Sequence, residues 1–240
     1  MSRARATIFA GTAFILGAVC IRLGIWQLHR LEERRARVAA IEGRLAEPPI
    51  ELGGQLADSE AILYRHATAR GQFDPSHEVV LLNRNRDDEP GVHLVTPLRF
   101  ADGSGAILVD RGWLPIEEDT PAGRAAYSTA DILEVSGVVR EPEEEPRWTF
   151  LADRTPAPGE TPLEEWRVLN VEGLQAQVPY PLLPVYLELS EAPEGNHPLP
   201  GLSLDLSEGP HLSYAIQWFG FAATAFVGGG IWLHRKLRRG

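Results

Sequence analysis

Two long apolar segments, one near each end of the chain, restrict what this sequence can fold into more than any other feature. Residues 6–28 contain a single charged side chain, Arg22, and residues 212–233 contain none. A helix of about 20 apolar residues crosses the hydrocarbon core of a bilayer, whereas a buried helix of a soluble protein is rarely so long and so apolar. The sequence therefore predicts two transmembrane helices, over residues 6–28 and 212–233.

The ends of both segments have the residues expected where a helix leaves the bilayer. Arg22 and Trp26 lie near one end of the first segment, and Trp218 and Trp232 lie near the two ends of the second. Arginine can extend its charge to the lipid headgroups, and tryptophan prefers the membrane interface. A cleaved signal peptide is the alternative for the first segment, but no A-x-A cleavage site follows it. We expect an uncleaved anchor.

Charge is divided unevenly between the ends and the middle of the chain. Residues 1–28 and 212–240 hold seven of the 23 basic residues and no acidic residue, so residues 29–211 hold 16 basic against all 33 acidic residues, a net charge of −17. Such an acidic region argues against nucleic acid as a partner, because phosphates are neutralised by basic surfaces. The lipid bilayer is the partner that the sequence itself predicts.

The basic tails also predict an orientation. By the positive-inside rule, both termini lie in the cytoplasm, including a basic tail over residues 234–240, and the middle of the chain lies outside it. Four arginines directly after the first span oppose this assignment, namely Arg30, Arg34, Arg35 and Arg37. We keep the assignment, because long domains are translocated largely regardless of charge.

The middle of the chain changes from a helical to a strand-like pattern. Apolar residues spaced three to four apart predict a helical stalk over residues 29–47, which ends at Pro48-Pro49. An extracytoplasmic β-rich domain over 48–211 follows. Its predicted strands cover residues 63–73, 77–83, 91–100, 105–114, 132–140, 165–170 and 182–189. The strongest hairpin signal is the Asp-Gly turn at residues 102–103, and residues 141–162 read as a surface loop.

These elements predict an α+β membrane protein in which two transmembrane helices flank an antiparallel β-rich domain, shaped as a barrel or a sandwich. The single cysteine, Cys20, leaves no thiol pair, and none of the common nucleotide-binding, hydrolase or metalloprotease motifs occurs. His66, His77 and His93 are widely spaced in predicted strands, which is typical of structural histidines. We therefore expect no enzyme.

His211 is the one candidate metal ligand. It lies at the start of the second span, and Tyr214 and Trp218 follow at i+3 and i+7 on the same helical face. An imidazole with an aromatic wall at the bilayer edge could ligate haem iron; the alternative is a polar residue that marks the water boundary. His29 and His66 are reserve ligands.

Four motifs, in order, resemble those of the surfeit locus protein 1 family. They are LGIWQLHR at residues 23–30, VTPL at 95–98, ILVDRGWLP at 107–115 and HLSYAIQWF at 211–219. The family patterns are LGxWQxxR, TPL, ILVNRGWVP and HxxYAxxWF. Two departures are Asp110, where Asn is usual, and Pro210, where Asn is common.

The resemblance implies a non-enzymatic assembly factor for haem–copper cytochrome c oxidase in the inner or plasma membrane. It implies help with haem a delivery or insertion, transient haem a binding with His211 as ligand, and as partners the catalytic oxidase subunit and the haem a synthesis machinery. For the motif residues Trp26, Gln27, Arg111, Gly112 and Trp113 we expect architectural or partner-facing roles. The alternatives are a membrane-anchored extracytoplasmic sensor or ligand-binding module, and an accessory structural subunit of the oxidase.

Overall fold

The computed structural model describes residues 3–53, 58–127, 131–143, 153–156, 160–191, 198–201 and 204–238. Its contacts divide the chain into two compact units. One unit combines the two ends, Met1–Glu42 and Asp205–Gly240, and the other is the middle, Gly43–Leu204. The ends therefore form one structural unit although about 160 residues separate them in the sequence.

The helices and strands follow one another as α1 (Arg3–Leu45), β1 (Ile50–Leu52), β2 (His66–Phe73), β3 (Val79–Leu81), β4 (Gly91–Phe100), β5 (Ala106–Pro115), α2 (Pro121–Ala125), β6 (Leu133–Arg140), β7 (Glu165–Trp166), α3 (Val171–Gln175), β8 (Leu182–Leu189) and α4 (His211–Arg238). The described residues also form single 3-10 turns at Glu60–Ile62, Pro75–His77 and Ile116–Glu118. The helices α1 and α4 are both long and apolar enough to cross a membrane, over Thr7–Leu45 and His211–Lys236. Two spans indicate a two-pass membrane protein.

Small residues on α1 accommodate aromatic rings of α4. A Cβ atom added to Gly17 would lie 2.7 Å from the ring of Phe226, and one added to Gly24 would lie 2.7 Å from the ring of Phe219. Closer to the chain ends, the ring centroids of Phe9 and Trp232 are 4.8 Å apart. Contact positions rise along α1 as they fall along α4, so the two helices pack antiparallel. Small residues at such contacts are typical of helix pairs in membranes.

The middle unit is a closed β-barrel, which confirms the barrel form of the predicted fold class. Its sheet runs β1-β2-β6-β8-β5-β4-β3-β7, and a further pairing of β2 with β4 closes a ring of five strands. A ring with an odd number of strands cannot alternate direction throughout, so at least one neighbouring pair must be parallel. That pair is β5 with β8, while the other four pairs in the ring are antiparallel.

The barrel interior is filled by alternate residues of the ring strands. The fully buried members of this core include Ala69, Leu98, Ile107, Val109 and Leu187. A second apolar cluster joins β3, β5 and β7 to the short helix α3 through Leu81, Leu108, Trp166 and Leu174. Because inward and outward residues alternate, each strand has one face toward the barrel interior. The Asp-Gly turn connects β4 to β5 in a hairpin, with Gly103 at φ 74°.

Three strands are shorter than predicted because local turns replace their ends. The run 63–73 becomes extended only at His66, since Glu60–Ile62 forms a 3-10 turn and Tyr64 has a φ of 62°. The run 77–83 is reduced to Val79–Leu81, because Asp74 caps the turn at Pro75–His77. The run 165–170 ends at Trp166, and the Asn170 side chain accepts a hydrogen bond from the Gly173 amide to cap α3.

The strand β1 and the short helices α2 and α3 have too few residues to show a period, and the sequence did not predict them. Within the predicted loop 141–162, residues 144–152 and 157–159 lie outside the described residues, and the described remainder contains neither helix nor strand. The helix α1 runs without interruption through the predicted span 6–28 and most of the predicted stalk 29–47. The membrane and water boundaries, 6–28, 29–47, 48–211, 212–233 and 234–240, stay predictions.

Candidate functional site

His211 is the first residue of α4, and its ring is hydrogen-bonded to α1. Its Nδ1 atom lies 2.9 Å from Oε1 of Gln27. An amide oxygen can only accept a hydrogen bond, so Nδ1 is the donor, and in the neutral imidazole Nε2 then keeps its lone pair. Histidines that ligate metals are held in this way, with one ring nitrogen bonded to a fixed acceptor and the other free. The ring of His211 is therefore in the tautomer that can bind a metal through Nε2.

Pro210 defines where α4 begins. Its carbonyl oxygen accepts hydrogen bonds from the Tyr214 amide at 3.1 Å and from the Ser213 hydroxyl at 2.8 Å. Proline has no amide hydrogen to lose and is well tolerated at a helix start. The helix therefore begins with its first side chain, His211, directed to Gln27 on α1.

A polar cavity of about 320 Å³ lies beside His211. Its lining consists of Arg30, Glu33, Arg34, Arg37, Asp205, Gly209 and His211. Gly209 has a φ of 69°, and a Cβ atom added there would lie 3.6 Å from Cδ2 and 3.8 Å from Nε2 of His211. The ring edge that carries the free nitrogen thus lies next to a glycine of the cavity wall. A side chain at position 209 would fill the space in front of that edge.

Two arginines of α1 bind the segment that precedes α4 to α1 through hydrogen bonds and ion pairs. Arg34 donates from Nε to the Ser207 carbonyl at 2.9 Å and from Nη2 to the Asp205 carbonyl, and its guanidinium also pairs with the Asp205 carboxylate at 3.2 Å. Arg35 donates two hydrogen bonds of 2.8 Å to the Glu208 carboxylate. The hydrogen bond from Arg35 and its charge lower the pKa of Glu208. These contacts set the position from which His211 reaches Gln27.

The residues on the α1 side of this site follow one another at helical spacing. Gln27, Arg30, Arg34 and Arg37 stand at i, i+3, i+7 and i+10, which places them along one face of the helix. In the sequence, Arg34 and Arg37 stand out only as exceptions to the positive-inside rule, whereas Arg30 is also the last residue of the LGIWQLHR motif. Their spacing, counted from Gln27, is the signal that could have identified the face.

The other predicted members of the site lie elsewhere on the two helices. Tyr214 is 46% exposed, and the ring of Trp218 packs edge-on against Phe221, with 5.9 Å between centroids. Neither residue lines the cavity beside His211. Trp26 is 52% exposed and lies with Arg22 and His29 in a separate groove on α1. The roles of Tyr214, Trp218 and Trp26 stay predictions.

The histidines of the barrel unit lie on different elements. His77 pairs with Asp74 at 2.8 Å in a 3-10 turn, His93 pairs with Asp110 at 2.9 Å between β4 and β5, and His66 opens β2. The described part of the chain has no group of three or more His, Cys, Asp or Glu residues that could hold a metal ion. His211 thus remains the first candidate for a haem ligand, where the porphyrin supplies the other four donor atoms.

The motif around Arg111 forms a β-bulge. On β4, Leu94 faces Gly112 and Val95 faces Asp110, which leaves Arg111 as the extra residue of β5. Gly112 has a φ of 114°, and a Cβ atom there would lie 2.3 Å from the Leu199 carbonyl oxygen. Only glycine fits this position, since both the backbone conformation and the close approach exclude a side chain.

The bulge directs the side chain of Arg111 into the interior, where its guanidinium group is buried. Its centre lies 4.7 Å from the ring centroid of Phe73, Nη2 donates to the Tyr127 carbonyl, and Nη1 lies 3.5 Å from the Glu78 carboxylate. Burial raises the pKa of Glu78, although the Thr96 hydroxyl and Arg111 act against it, and burial lowers the pKa of Arg111. These contacts support an architectural role for Arg111.

Trp113 and Asp110 hold the two sides of the bulge. The indole of Trp113 is 5% exposed and donates to the Arg84 carbonyl at 2.7 Å, while its backbone pairs with Leu199. Asp110 accepts from the Gly112 amide at 3.0 Å and pairs with His93. A carboxylate at position 110 therefore gives the bulge a partner for His93, a pairing that the separation of the two residues in the sequence does not reveal.

The motifs of this chain lie within a region shared with known proteins. The SURF1 family model matches residues 14–223, which include all four motifs. A SURF1-like protein of Monosiga brevicollis is 28% identical over 234 residues, covering 92% of this chain and 85% of the relative. Surfeit locus protein 1 of Mus musculus is 26% identical, covering 94% and 74%, and that of Homo sapiens is 25% identical, covering 90% and 73%. These matches confirm the resemblance, and the chain belongs to the SURF1 family.

Proposed function

We propose that this protein is a membrane-anchored assembly factor for haem–copper cytochrome c oxidase that assists the delivery or insertion of haem a into the catalytic subunit. Membership of the SURF1 family supports the assembly role. The observation that carries the haem part is the hydrogen bond between His211 and Gln27, because it leaves Nε2 of the imidazole free beside a cavity. The role is binding and transfer, without covalent catalysis by the chain itself.

Haem a, when bound, supplies an iron atom that accepts an imidazole nitrogen and a hydrocarbon tail that prefers lipid. His211 would offer Nε2 to that iron at the bilayer edge, and Gln27 would hold the proton on Nδ1. Arg34 and Arg35 keep the preceding segment on α1, so the imidazole is positioned before any ligand arrives. A single imidazole from His211 would favour transient binding, which suits a carrier that must release its cargo.

The barrel unit would provide the surface that meets the oxidase subunit or the haem a synthesis machinery. Arg111, Gly112 and Trp113 would shape the bulge in the β4–β5 pair of this unit and take no part in a reaction. In the proposed arrangement, the barrel lies outside the cytoplasm and both termini lie within it, in the inner or plasma membrane. This places the start of α4, and with it His211, on the outer side of the bilayer.

The proposal is tested in a host that makes haem a, by deleting the gene and restoring it as wild type or as His211→Ala. Deletion should lower the haem a absorbance of reduced membranes and the oxidase activity. The purified wild-type protein should show a haem spectrum that His211→Ala changes or abolishes. His234→Ala removes an exposed histidine at the other end of α4 and is the matched control.

Three results would contradict the proposal. Normal haem a absorbance and oxidase activity after deletion would exclude the assembly role and favour a sensor or ligand-binding module. Equimolar co-purification with the mature oxidase would favour an accessory subunit. An unchanged haem spectrum in His211→Ala would remove His211 from the site.

A further inference from the structure

The cavity beside His211 has a positively charged wall that a metal ligand alone does not require. Three of its lining residues are arginines of one α1 face, Arg30, Arg34 and Arg37, which we call the arginine face. Two carboxylates, Glu33 and Asp205, line the same cavity, so its side chains carry a net positive charge with His211 neutral. A cavity of this composition suits an anion.

The three arginines are not equally available. Arg34 is engaged by the carbonyl groups of Asp205 and Ser207 and by the Asp205 carboxylate, and it holds the segment before α4. Arg30 pairs with Glu33 at 2.8 Å, with both side chains more than half exposed. Arg37 is exposed and has no hydrogen bond or ion pair to any residue that the structure describes. An exposed ion pair contributes little free energy, so Arg30 can exchange its partner easily.

The location of the arginine face selects the kind of anion. Arg30 and Arg37 follow the predicted span 6–28, so in the predicted arrangement they lie on the water side of Gln27 and His211, while the apolar stretches of α1 and α4 lie on the other side. A molecule bound at His211 would therefore meet lipid at one end and arginine at the other. An amphiphile with carboxylates opposite its hydrocarbon tail matches this arrangement, and guanidinium groups bind carboxylates through paired hydrogen bonds.

We propose that Arg30 and Arg37 bind the carboxylates of the haem whose iron His211 ligates, and so determine which end of the porphyrin faces the water. This inference rests on the proposed function, because it presumes a haem at His211. It assigns Arg34 a different task, which is to position the segment around Gly209. Removing Arg34 would therefore disturb the site itself, and it is left unchanged in the test.

The test uses the full chain in nanodiscs of neutral phosphatidylcholine. Ferric protoporphyrin IX and its dimethyl ester are the two probes, since they share the iron and the macrocycle, and the ester has an uncharged methyl ester in place of each carboxylate. Binding of each probe is followed by the Soret band for wild type, for Arg30→Gln with Arg37→Gln, and for His211→Ala. The matched control is Arg70→Gln, which removes an exposed arginine of the barrel unit.

The free acid should bind the double variant about 5- to 25-fold more weakly than wild type, as expected for one or two exposed charge-assisted contacts. The ester should bind wild type and the double variant equally, and the Soret maximum should stay the same because His211 is intact. Arg70→Gln should match wild type. Added salt should weaken binding of the acid to wild type and hardly affect the ester.

Equal affinity of wild type and the double variant for the free acid would overturn this inference and leave the proposed function in place. An equal loss for acid and ester would also overturn it, because the effect would not act through the carboxylates. In a separate native mass spectrometry experiment with added phosphatidylglycerol, weaker lipid binding by the double variant, with haem affinity unchanged, would assign the arginine face to lipid phosphate instead. If wild type shows no His211-dependent haem spectrum, the proposed haem site and this inference both fail.

Discussion

Nδ1 of His211 and Oε1 of Gln27, 184 positions apart in the sequence, lie 2.9 Å from each other. The first begins α4 and the second lies on α1, so this hydrogen bond joins the two helices that the sequence predicts as membrane spans. It also selects the tautomer of the imidazole, because the amide oxygen requires a hydrogen on Nδ1. The Gln27 side chain therefore both connects the two helices and selects the tautomer of His211.

Gln27→Leu should weaken haem binding at least tenfold while leaving the fold intact, because loss of the partner that orients a ligating histidine typically lowers metal affinity 10- to 100-fold. Haem titration of the full chain in detergent measures the change. Gln217→Leu, at an exposed position of α4, serves as the control and should bind like wild type. Unchanged affinity in Gln27→Leu would mean that the hydrogen bond does not organise the site.

Gly112→Ala should destabilise the barrel by about 2–4 kcal/mol, since the new Cβ adds strain at φ 114° and a close approach to the Leu199 carbonyl. Gly103→Ala provides the comparison. Gly103 also has a positive φ, 74°, but a Cβ there meets no atom within 4 Å, so only the backbone term of about 1–2 kcal/mol applies. Urea unfolding followed by tryptophan fluorescence measures both, and equal losses would refute the close-approach explanation.

Gly24→Leu should lower the thermal unfolding temperature of the unit that contains α1 and α4. A Cβ atom at position 24 would lie 2.7 Å from the Phe219 ring, so the added side chain would collide with it. Overpacking of this kind costs about 1–3 kcal/mol. Gly11→Leu, where a Cβ has no neighbour within 4 Å, is the control. Adding Phe219→Ala to Gly24→Leu should recover part of the loss, and the coupling energy from this double-mutant cycle shows whether the two residues touch.

Asp74 should make the barrel unit sensitive to acid. Burial alone would raise its pKa, but hydrogen bonds from Ser76, Tyr180 and His77 outweigh burial and lower the pKa from 3.8 to about 2. A depressed carboxyl pKa contributes stability above pH 4 that is lost as the pH falls toward 2, because the unfolded chain takes up its proton first. After allowance for solvent screening, the contribution is about 1–2 kcal/mol.

The free energy of unfolding should therefore fall less between pH 7 and pH 3 in Asp74→Asn than in wild type. Urea titrations at both pH values provide the comparison, and the difference between the two proteins isolates Asp74 from the other carboxylates. Equal acid sensitivity of the two proteins would show that the hydrogen bonds around Asp74 do not lower its pKa.

The predicted orientation requires opposite behaviour of reporters at two positions. Alkaline phosphatase fused after Asp102 should be active, since this enzyme folds only outside the cytoplasm, and green fluorescent protein fused after Gly240 should fluoresce inside it. The physical reason is the excess of basic residues in the two tails. An active phosphatase at Gly240 would reverse the assignment of both termini.

Apolar length and apolar period were enough to predict the two long helices and most strands of the barrel. The runs of β4 and β8 begin and end where the sequence predicts, because their alternation is continuous and turn residues bound them. The apolar stretches near both ends, the first interrupted only by Arg22, predict the apolar parts of α1 and α4 by length alone. These features depend only on neighbours in the sequence, so a single sequence contains them.

The tertiary structure decided which strands are neighbours and which side chains meet across the fold. The parallel pair of β5 with β8 follows from closing five strands into a ring, a constraint that no strand carries by itself. The bulge at Arg111 needs β4 as its partner, and the tautomer of His211 needs Gln27 from the other end of the chain. Contacts between distant segments depend on register and helix rotation, so the chemistry of His211 becomes visible only when both helices are in place.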